Sequence, residues 1–399
     1  NIVMGSDALR YPDTENDNLA IGHLALGGSG IAGGEFNVAI GNYALDALTS
    51  ADRVTAIGYE AGSAVTTGGT STLIGYNAGK SITTGSTHVF IGHEAGDAFD
   101  TENHNMGIGE SALGGPVAGG EYNVAIGNYS LDALTSADAT VAIGYNAGTS
   151  ITSGLGNTLV GFEAGKTLAT GTENVMVGLL AGSQATGNGN VFLGFKAGED
   201  TTSGTNNVAI GNLALDDATS ESNNVAIGRL SMAGPVNGGE QNVAVGANTL
   251  DALTSGDNNV AIGHDAGTSL TTGTKHVFIG YSAGASSVTN TDGSVCIGYQ
   301  AGNALLNGGS VFVGPDAGKS VTSGSSNVMI GYAAGDNFDT ENHNIGIGTN
   351  SLGGPIAGGE YNVAVGGSTL DALTSGDYNV AVGYNSGSAI NSGEAHTLV

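Results

Sequence analysis

The chain has 399 residues, of which 72 are glycine and only 11% are charged, and its 36 acidic and 8 basic residues give a formal net charge of −28. This charge disfavours binding to nucleic acid or to anionic membranes. The absence of a Gly-X-Y triplet excludes collagen, a single cysteine, Cys296, excludes an internal disulfide, and no apolar stretch approaches the ~20 residues of a membrane-spanning helix.

A glycine preceded by aliphatic residues recurs at intervals of 16 to 19 residues, most often 17, from Gly5 to Gly383. A short period that runs through a whole chain is typical of a solenoid. The sequence therefore predicts an all-β fold: one continuous parallel β-solenoid over residues 1–399, with about 23 coils and a length of about 110 Å at ~4.8 Å per coil. Because the repeat is already running at Asn1 and is still running at Val399, we interpret the chain as a fragment of a longer protein.

Each coil is predicted to begin with a strand of the type Asn123–Gly127, in which three consecutive residues are apolar. One face of such a strand fills the coil, and the other requires a partner surface. A turn and a second, threonine-rich strand such as Ser81–Gly85 complete the coil. The asparagine that precedes the first strand in most coils predicts a hydrogen-bonded ladder, with His88 and His276 as substitute rungs.

Four coils are enlarged, near residues 23–41, 110–127, 229–246 and 349–366, and each contains a glycine-rich cassette that ends in glutamate. We expect the cassettes to form outward loops. An aromatic residue beside an acid suits sugar recognition, whereas the alternative is that the cassette spaces the coil and the aromatic caps its interior. The predicted receptor-contact residues are Pro116, Glu121, Tyr122, Pro235, Glu240, Pro355, Glu360 and Tyr361.

One further motif carries alternating acids and a histidine, and it occurs twice, as Asp100, Glu102 and His104 and as Asp339, Glu341 and His343. Hard oxygen ligands suit Ca²⁺, so these residues are candidate metal ligands, with a solvated edge as the alternative. Phosphate-loop, nucleophile-elbow and zinc-site motifs are absent from the sequence. We therefore expect neither catalysis nor an organic cofactor.

The Asn123–Gly127 strand with its small-residue turn resembles the left-handed parallel β-roll repeats in the heads of trimeric autotransporter adhesins, and similar repeats occur in bacteriophage tail-fibre proteins. The resemblance covers nearly the whole chain and implies a homotrimer of side-by-side or intertwined rolls. Small side chains suit the crowded axis of such a trimer, and the alanines expected at the shared surface are Ala39, Ala125, Ala209, Ala244, Ala261 and Ala364.

These features together favour a structural and adhesive role. The expected protein is the shaft of a bacteriophage tail fibre or of a bacterial surface adhesin, extracellular, with a host glycan or protein as its receptor. Two alternatives stay open: a self-assembling extracellular filament, and an ice-binding or ligand-binding solenoid. The second is suggested by the outward threonines Thr49, Thr66 and Thr83 in consecutive coils.

Overall fold

The computed structural model describes residues 1–10, 16–28, 33–236, 238–287, 293–354 and 358–399. They form two compact units, Asn1–Thr202 and Ser203–Val399. Each unit is a parallel β-solenoid that repeats about every 17 residues, and none of the described residues is helical. The predicted fold class is confirmed.

The strands are short, and all but the last are followed by an anchor glycine, the recurring glycine of the sequence repeat. In the first unit they are Ile2–Met4 (β1), Leu19–Ile21 (β2), Val38–Ile40 (β3), Thr55–Ile57 (β4), Thr72–Ile74 (β5), Val89–Ile91 (β6), Met106–Ile108 (β7), Val124–Ile126 (β8), Val141–Ile143 (β9), Thr158–Val160 (β10), Val175–Val177 (β11) and Val191–Leu193 (β12). In the second unit they are Val208–Ile210 (β13), Val225–Ile227 (β14), Val243–Val245 (β15), Val260–Ile262 (β16), Val277–Ile279 (β17), Val295–Ile297 (β18), Val311–Val313 (β19), Val328–Ile330 (β20), Ile345–Ile347 (β21), Val363–Val365 (β22), Val380–Val382 (β23) and Thr397–Leu398 (β24).

Neighbouring strands within a unit pair in parallel and in register, so that equivalent residues stack. In β8 and β9, for example, Val124 pairs with Val141, Ala125 with Ala142 and Ile126 with Ile143. From β2 to β23 the central residue of each strand is buried, while the first and third residues face outward. The coil interior is therefore built from one strand residue per coil together with residues of the turns.

The predicted second strand is wrong. The threonine-rich half of the coil forms bends, and a single isolated bridge, Ser375 to Ser392, occurs there among the described residues. The reason is visible at Thr49 and Ser50, whose consecutive N–H groups both donate to the carbonyl of Thr66. A regular ladder cannot form when two donors share one acceptor.

The anchor glycines form a column that closes each strand. Their φ angles lie between 125° and 145°, a region that is accessible only to glycine. Space is equally restrictive, because a Cβ on Gly144 would lie 2.6 Å from the carbonyl carbon of Gly161 and would overlap its oxygen. The regular spacing of glycines in the sequence is thus explained by close backbone contact between successive coils.

In many coils, core volume is conserved by an exchange between two positions. Where the strand centre is large, the fourth residue after the anchor glycine is glycine; where the centre is alanine or glycine, that fourth residue is often a buried leucine or methionine. A Cβ on Gly284 would lie 2.7 Å from the ring of Phe278, so the ring occupies the space that Leu250 fills two coils earlier, beside Ala244. Large centres paired with glycine are Leu73, Phe90, Leu159, Met176, Phe192, Phe278, Cys296, Phe312 and Met329.

The predicted asparagine ladder is confirmed. The buried side chain of Asn37 donates from Nδ2 to the carbonyl of Ala51 at 2.8 Å, and its Oδ1 accepts the N–H of Val54, in the next coil, at 2.9 Å. Asn242 bonds in the same way to Gly256 and to Asn259. Each amide therefore satisfies one buried carbonyl and one buried N–H, groups that are costly to leave unpaired.

His88 is also a rung of this ladder. Its Nε2 lies 2.8 Å from the carbonyl oxygen of Glu102, and its Nδ1 lies 3.4 Å from the backbone nitrogen of Asn105. Because a carbonyl can only accept and an N–H can only donate, the ring is the neutral tautomer with its proton on Nε2. Burial against Phe90 and Phe99 lowers the pKa of His88 to about 4. His276 accepts the N–H of Ser294 in the same manner.

We expect His88→Asn to reduce the acid sensitivity of the chain. Unfolded His88 takes up a proton near pH 6.5, whereas the folded residue does so only near pH 4. The unfolded state therefore binds more protons in this window, and stability is lost as the pH falls through it, by up to about 3 kcal/mol. Urea unfolding at pH 7 and at pH 4.5 should show a smaller loss in the variant. Equal losses in both proteins would contradict the neutral buried ring.

Candidate functional site

The six alanines predicted at a shared surface lie inside the coils instead. Ala39, Ala125, Ala209, Ala244, Ala261 and Ala364 are each 0% exposed within the single chain. Their predicted orientation is wrong, because alanine at the strand centre leaves interior room for a turn leucine such as Leu131 or Leu250. The outward side of each strand is formed instead by its first and third residues.

These residues define the outward strand face. In every strand they are Val, Ile, Leu, Met or Thr, and none is charged. They are only partly covered: Ile143, Ile210, Ile262 and Ile330 expose 37 to 39% of their surface. Within each unit the face is thus an uncharged and mostly aliphatic surface on a strongly acidic chain, and exposed apolar surface of this kind is a feature of interaction sites.

An aromatic stripe borders this face at the start of the turn. In the first unit it includes Tyr59 and Tyr76, whose ring centroids are 5.3 Å apart, followed by His93 at 5.2 Å. In the second unit it includes His264, Tyr281 and Tyr299 at 5.5 Å spacings. An aromatic residue directly after many anchor glycines is the sequence signal for this stripe, which was not among the predicted sites.

The cassettes are only partly outward loops. Pro116 and Pro235 are exposed, as expected, but the valines that follow them, Val117 and Val236, are buried and fill the core position of the turn. Pro355 lies outside the described residues. The cassettes therefore both space the coil and present a small exposed turn.

The cassette aromatics lie on the surface and do not cap the interior. Tyr122 is 60% exposed and stacks on His104 at 5.1 Å, and Tyr361 stacks on His343 at 4.7 Å. The acids beside them already have partners. Glu121 accepts from the side-chain amide of Asn103 at 3.0 Å, and Glu360 accepts from that of Asn342 at 2.8 Å. Glu240 is exposed and is followed by Gln241, so this copy lacks the aromatic.

The candidate metal ligands do not converge. The Glu102 carboxylate is buried and accepts the N–H groups of Asp100, Thr101 and, from the next coil, Gly119, at 2.9 to 3.1 Å. Asp100 instead accepts from the Thr83 hydroxyl, and His104 stacks outward on Tyr122. The residues that the structure describes hold no group of three His, Cys, Asp or Glu side chains suited to a metal ion.

The second copy is built in the same way. The Glu341 carboxylate accepts the N–H groups of Asp339, Thr340 and Gly358, while His343 stacks on Tyr361. Glu221, which the sequence analysis did not single out, makes the equivalent bonds to Thr219, Ser220 and Gly238. These glutamates fix the cassette to the preceding turn, and the metal-site hypothesis is not supported by their geometry.

The comparisons with known proteins add no family. Neither a protein-family model nor a curated protein matches this sequence. No helix in the described ranges has the length and apolarity needed to cross a bilayer. The features of the molecule that bear on function are the outward strand face, the aromatic stripe and the cassettes.

Proposed function

We propose that this chain is the shaft of an extracellular attachment fibre, of the kind found in bacteriophage tail fibres or bacterial surface adhesins, and that three copies associate through their outward strand faces. The observation that carries the proposal is the uncharged row of side chains, most of them Val or Ile, along each unit. Burying apolar surface of this kind is worth about 25 cal/mol per Å².

A further copy of the chain is the partner that fits this face best. The net charge of −28 opposes association through the acidic turns, whereas the strand face carries no charge to repel its equal. Another parallel solenoid also repeats at the same rung spacing, so its side chains meet equivalent grooves at every coil. A globular partner would match only a few rungs.

Static light scattering of the purified chain tests the proposal. We expect a mass of three chains of 39.0 kDa each. The double variant Ile143→Lys with Ile262→Lys places one charge on the outward strand face of each unit and should scatter as a monomer. Its control is Thr67→Lys with Ser255→Lys, which makes the same change in net charge at exposed bend residues and should remain trimeric. A monomeric native chain, or a trimeric Ile variant, would refute self-association through this face.

The ice-binding alternative loses support from the threonine geometry. The Thr49 hydroxyl donates to the carbonyl of Thr66, and that of Thr66 donates to the carbonyl of Thr83, each at 3.0 Å. These hydroxyl hydrogens are used to join coils and are not directed at solvent. Receptor contact through the cassettes stays a prediction, with the exposed Tyr122 and Tyr361 as its strongest residues.

A further inference from the structure

Three pairs of tyrosines are held face to face by the coil register. They are Tyr59 with Tyr76, Tyr281 with Tyr299 and Tyr361 with Tyr378, with centroid separations of 5.3, 5.5 and 5.1 Å and interplanar angles of 11°, 12° and 6°. All six tyrosine residues are between 40% and 59% exposed. Each pair is therefore accessible to a small oxidant while its two phenols stay side by side.

The geometry of these pairs follows from the backbone. Each tyrosine occupies the same position as its partner in the neighbouring coil: Tyr59 and Tyr76 both follow an anchor glycine, and the Asn77 N–H donates to the Tyr59 carbonyl at 2.9 Å. Equivalent Cα–Cβ bonds in parallel coils point the same way, so the two hydroxyl groups lie on the same side of the stack. The ring carbons adjacent to the hydroxyls are thereby neighbours, and rotation of the exposed rings brings them together.

We propose that these pairs are sites of oxidative tyrosine coupling that cross-links adjacent coils within one chain. A one-electron oxidant of the peroxidase type, with hydrogen peroxide as the final acceptor, removes one electron from each phenol, and each phenol releases its proton. The two phenoxyl radicals form one carbon–carbon bond between ortho carbons, and the hydrogen on each of those carbons moves through solvent to the oxygen of its own ring. The chain loses two hydrogen atoms per link, and one peroxide becomes two waters.

This chemistry would supply the covalent link that the chain otherwise lacks. Its single cysteine, Cys296, is buried and cannot bridge coils. A bond between adjacent coils reduces the entropy of the unfolded chain, as a disulfide does. The inference does not depend on the proposed function, because both rings of each pair belong to the same chain.

Tryptic digestion followed by mass measurement tests the proposal, because the chain has only 8 Lys and Arg residues and is cut into a few long peptides. Trypsin releases residues 54–80, whose two tyrosines are Tyr59 and Tyr76, and residues 276–319, whose two tyrosines are Tyr281 and Tyr299. After treatment of the dilute chain with peroxidase and peroxide, we expect dityrosine fluorescence and both peptides lighter by two hydrogen atoms. The chain should keep its monomer mobility on a denaturing gel.

Two phenylalanine variants control the experiment. Tyr76→Phe keeps the stacked ring but removes one phenol, so peptide 54–80 should keep its full mass while peptide 276–319 still loses two hydrogens. Tyr332→Phe removes an exposed phenol whose equivalents in the adjacent coils are Pro315 and Thr349, and it should change neither peptide. Links found only between chains, or links that join Tyr43 to peptide 54–80 in preference to the internal pair, would overturn the proposal. So would an unchanged mass loss in Tyr76→Phe.

Discussion

Gly144→Ala should be among the most damaging single-atom changes in the chain, with an expected cost of roughly 4 kcal/mol. Two effects add at this position. The φ angle of 139° is one that a residue with a Cβ rarely adopts, and the added carbon would overlap the carbonyl group of Gly161 in the next coil. Relief requires the two coils to separate, which breaks the hydrogen bonds on either side.

The matched control for this change is Gly156→Ala. Gly156 has a φ of 67° and has nothing within 4 Å of an added Cβ, so alanine there should cost only about 1 kcal/mol, for the left-handed backbone alone. Urea unfolding followed by circular dichroism gives both values. Hydrogen exchange should place the loss of protection for Gly144→Ala at β9 and β10. Equal destabilisation by the two substitutions would show that space between coils does not select the anchor glycines.

Exchange of core volume is the second large effect, and we expect it at Phe278 and Gly284. Phe278→Ala should leave a cavity and cost about 3 to 5 kcal/mol. Gly284→Leu should cost at least as much, because its Cβ alone would lie 2.7 Å from the Phe278 ring. The double variant recreates the pairing of Ala244 with Leu250, so it should be more stable than either single variant.

A double-mutant cycle measures this exchange directly. The coupling free energy between the two substitutions should be favourable by about 2 kcal/mol or more, as obtained from urea unfolding of the four proteins. The control cycle uses Gly309→Leu in place of Gly284→Leu. Gly309 has nothing within 4 Å of an added Cβ, so this substitution should show no coupling to Phe278→Ala. Additive costs at Phe278 and Gly284 would mean that the two positions do not share one volume.

The strand, its register and the amide ladder were predictable from sequence for one physical reason. Parallel stacking places each residue on its equivalent one coil away, so a period in sequence is a contact in space, as for Val124 and Val141. Which strand residues face the coil interior was not predictable from the strand alone, because a Val-Ala-Ile strand is apolar on both faces. The deciding signal was the inverse size of Phe278 and Gly284, a correlation across the turn.

Other features depend on contacts that no local pattern reveals. The Glu102 carboxylate is a group that could bind a metal ion, yet it accepts hydrogen bonds from the N–H of Asp100 in its own turn and from the N–H of Gly119 in the next coil. The threonine-rich half of the coil has the composition of a strand, yet Thr49 and Ser50 donate to one carbonyl. In both cases the hydrogen bonds made by backbone N–H groups decide the structure, and not the preference of the side chains for a metal ion or for a strand. The positions of these N–H groups are known only from the fold.

The asparagine ladder allows the chain to change in length only by whole coils. The side chain of each rung accepts the N–H of the following rung and donates to a carbonyl within its own coil. Asn242 and Asn259 therefore make the same bonds although they belong to different coils. A whole coil can therefore be gained or lost without creating a new kind of contact, whereas half a coil cannot. Unequal recombination between the near-identical cassette blocks would change the number of coils and leave the chemistry of every coil intact. The number of coils in such a protein can therefore change while the contacts that hold each coil to its neighbours stay the same.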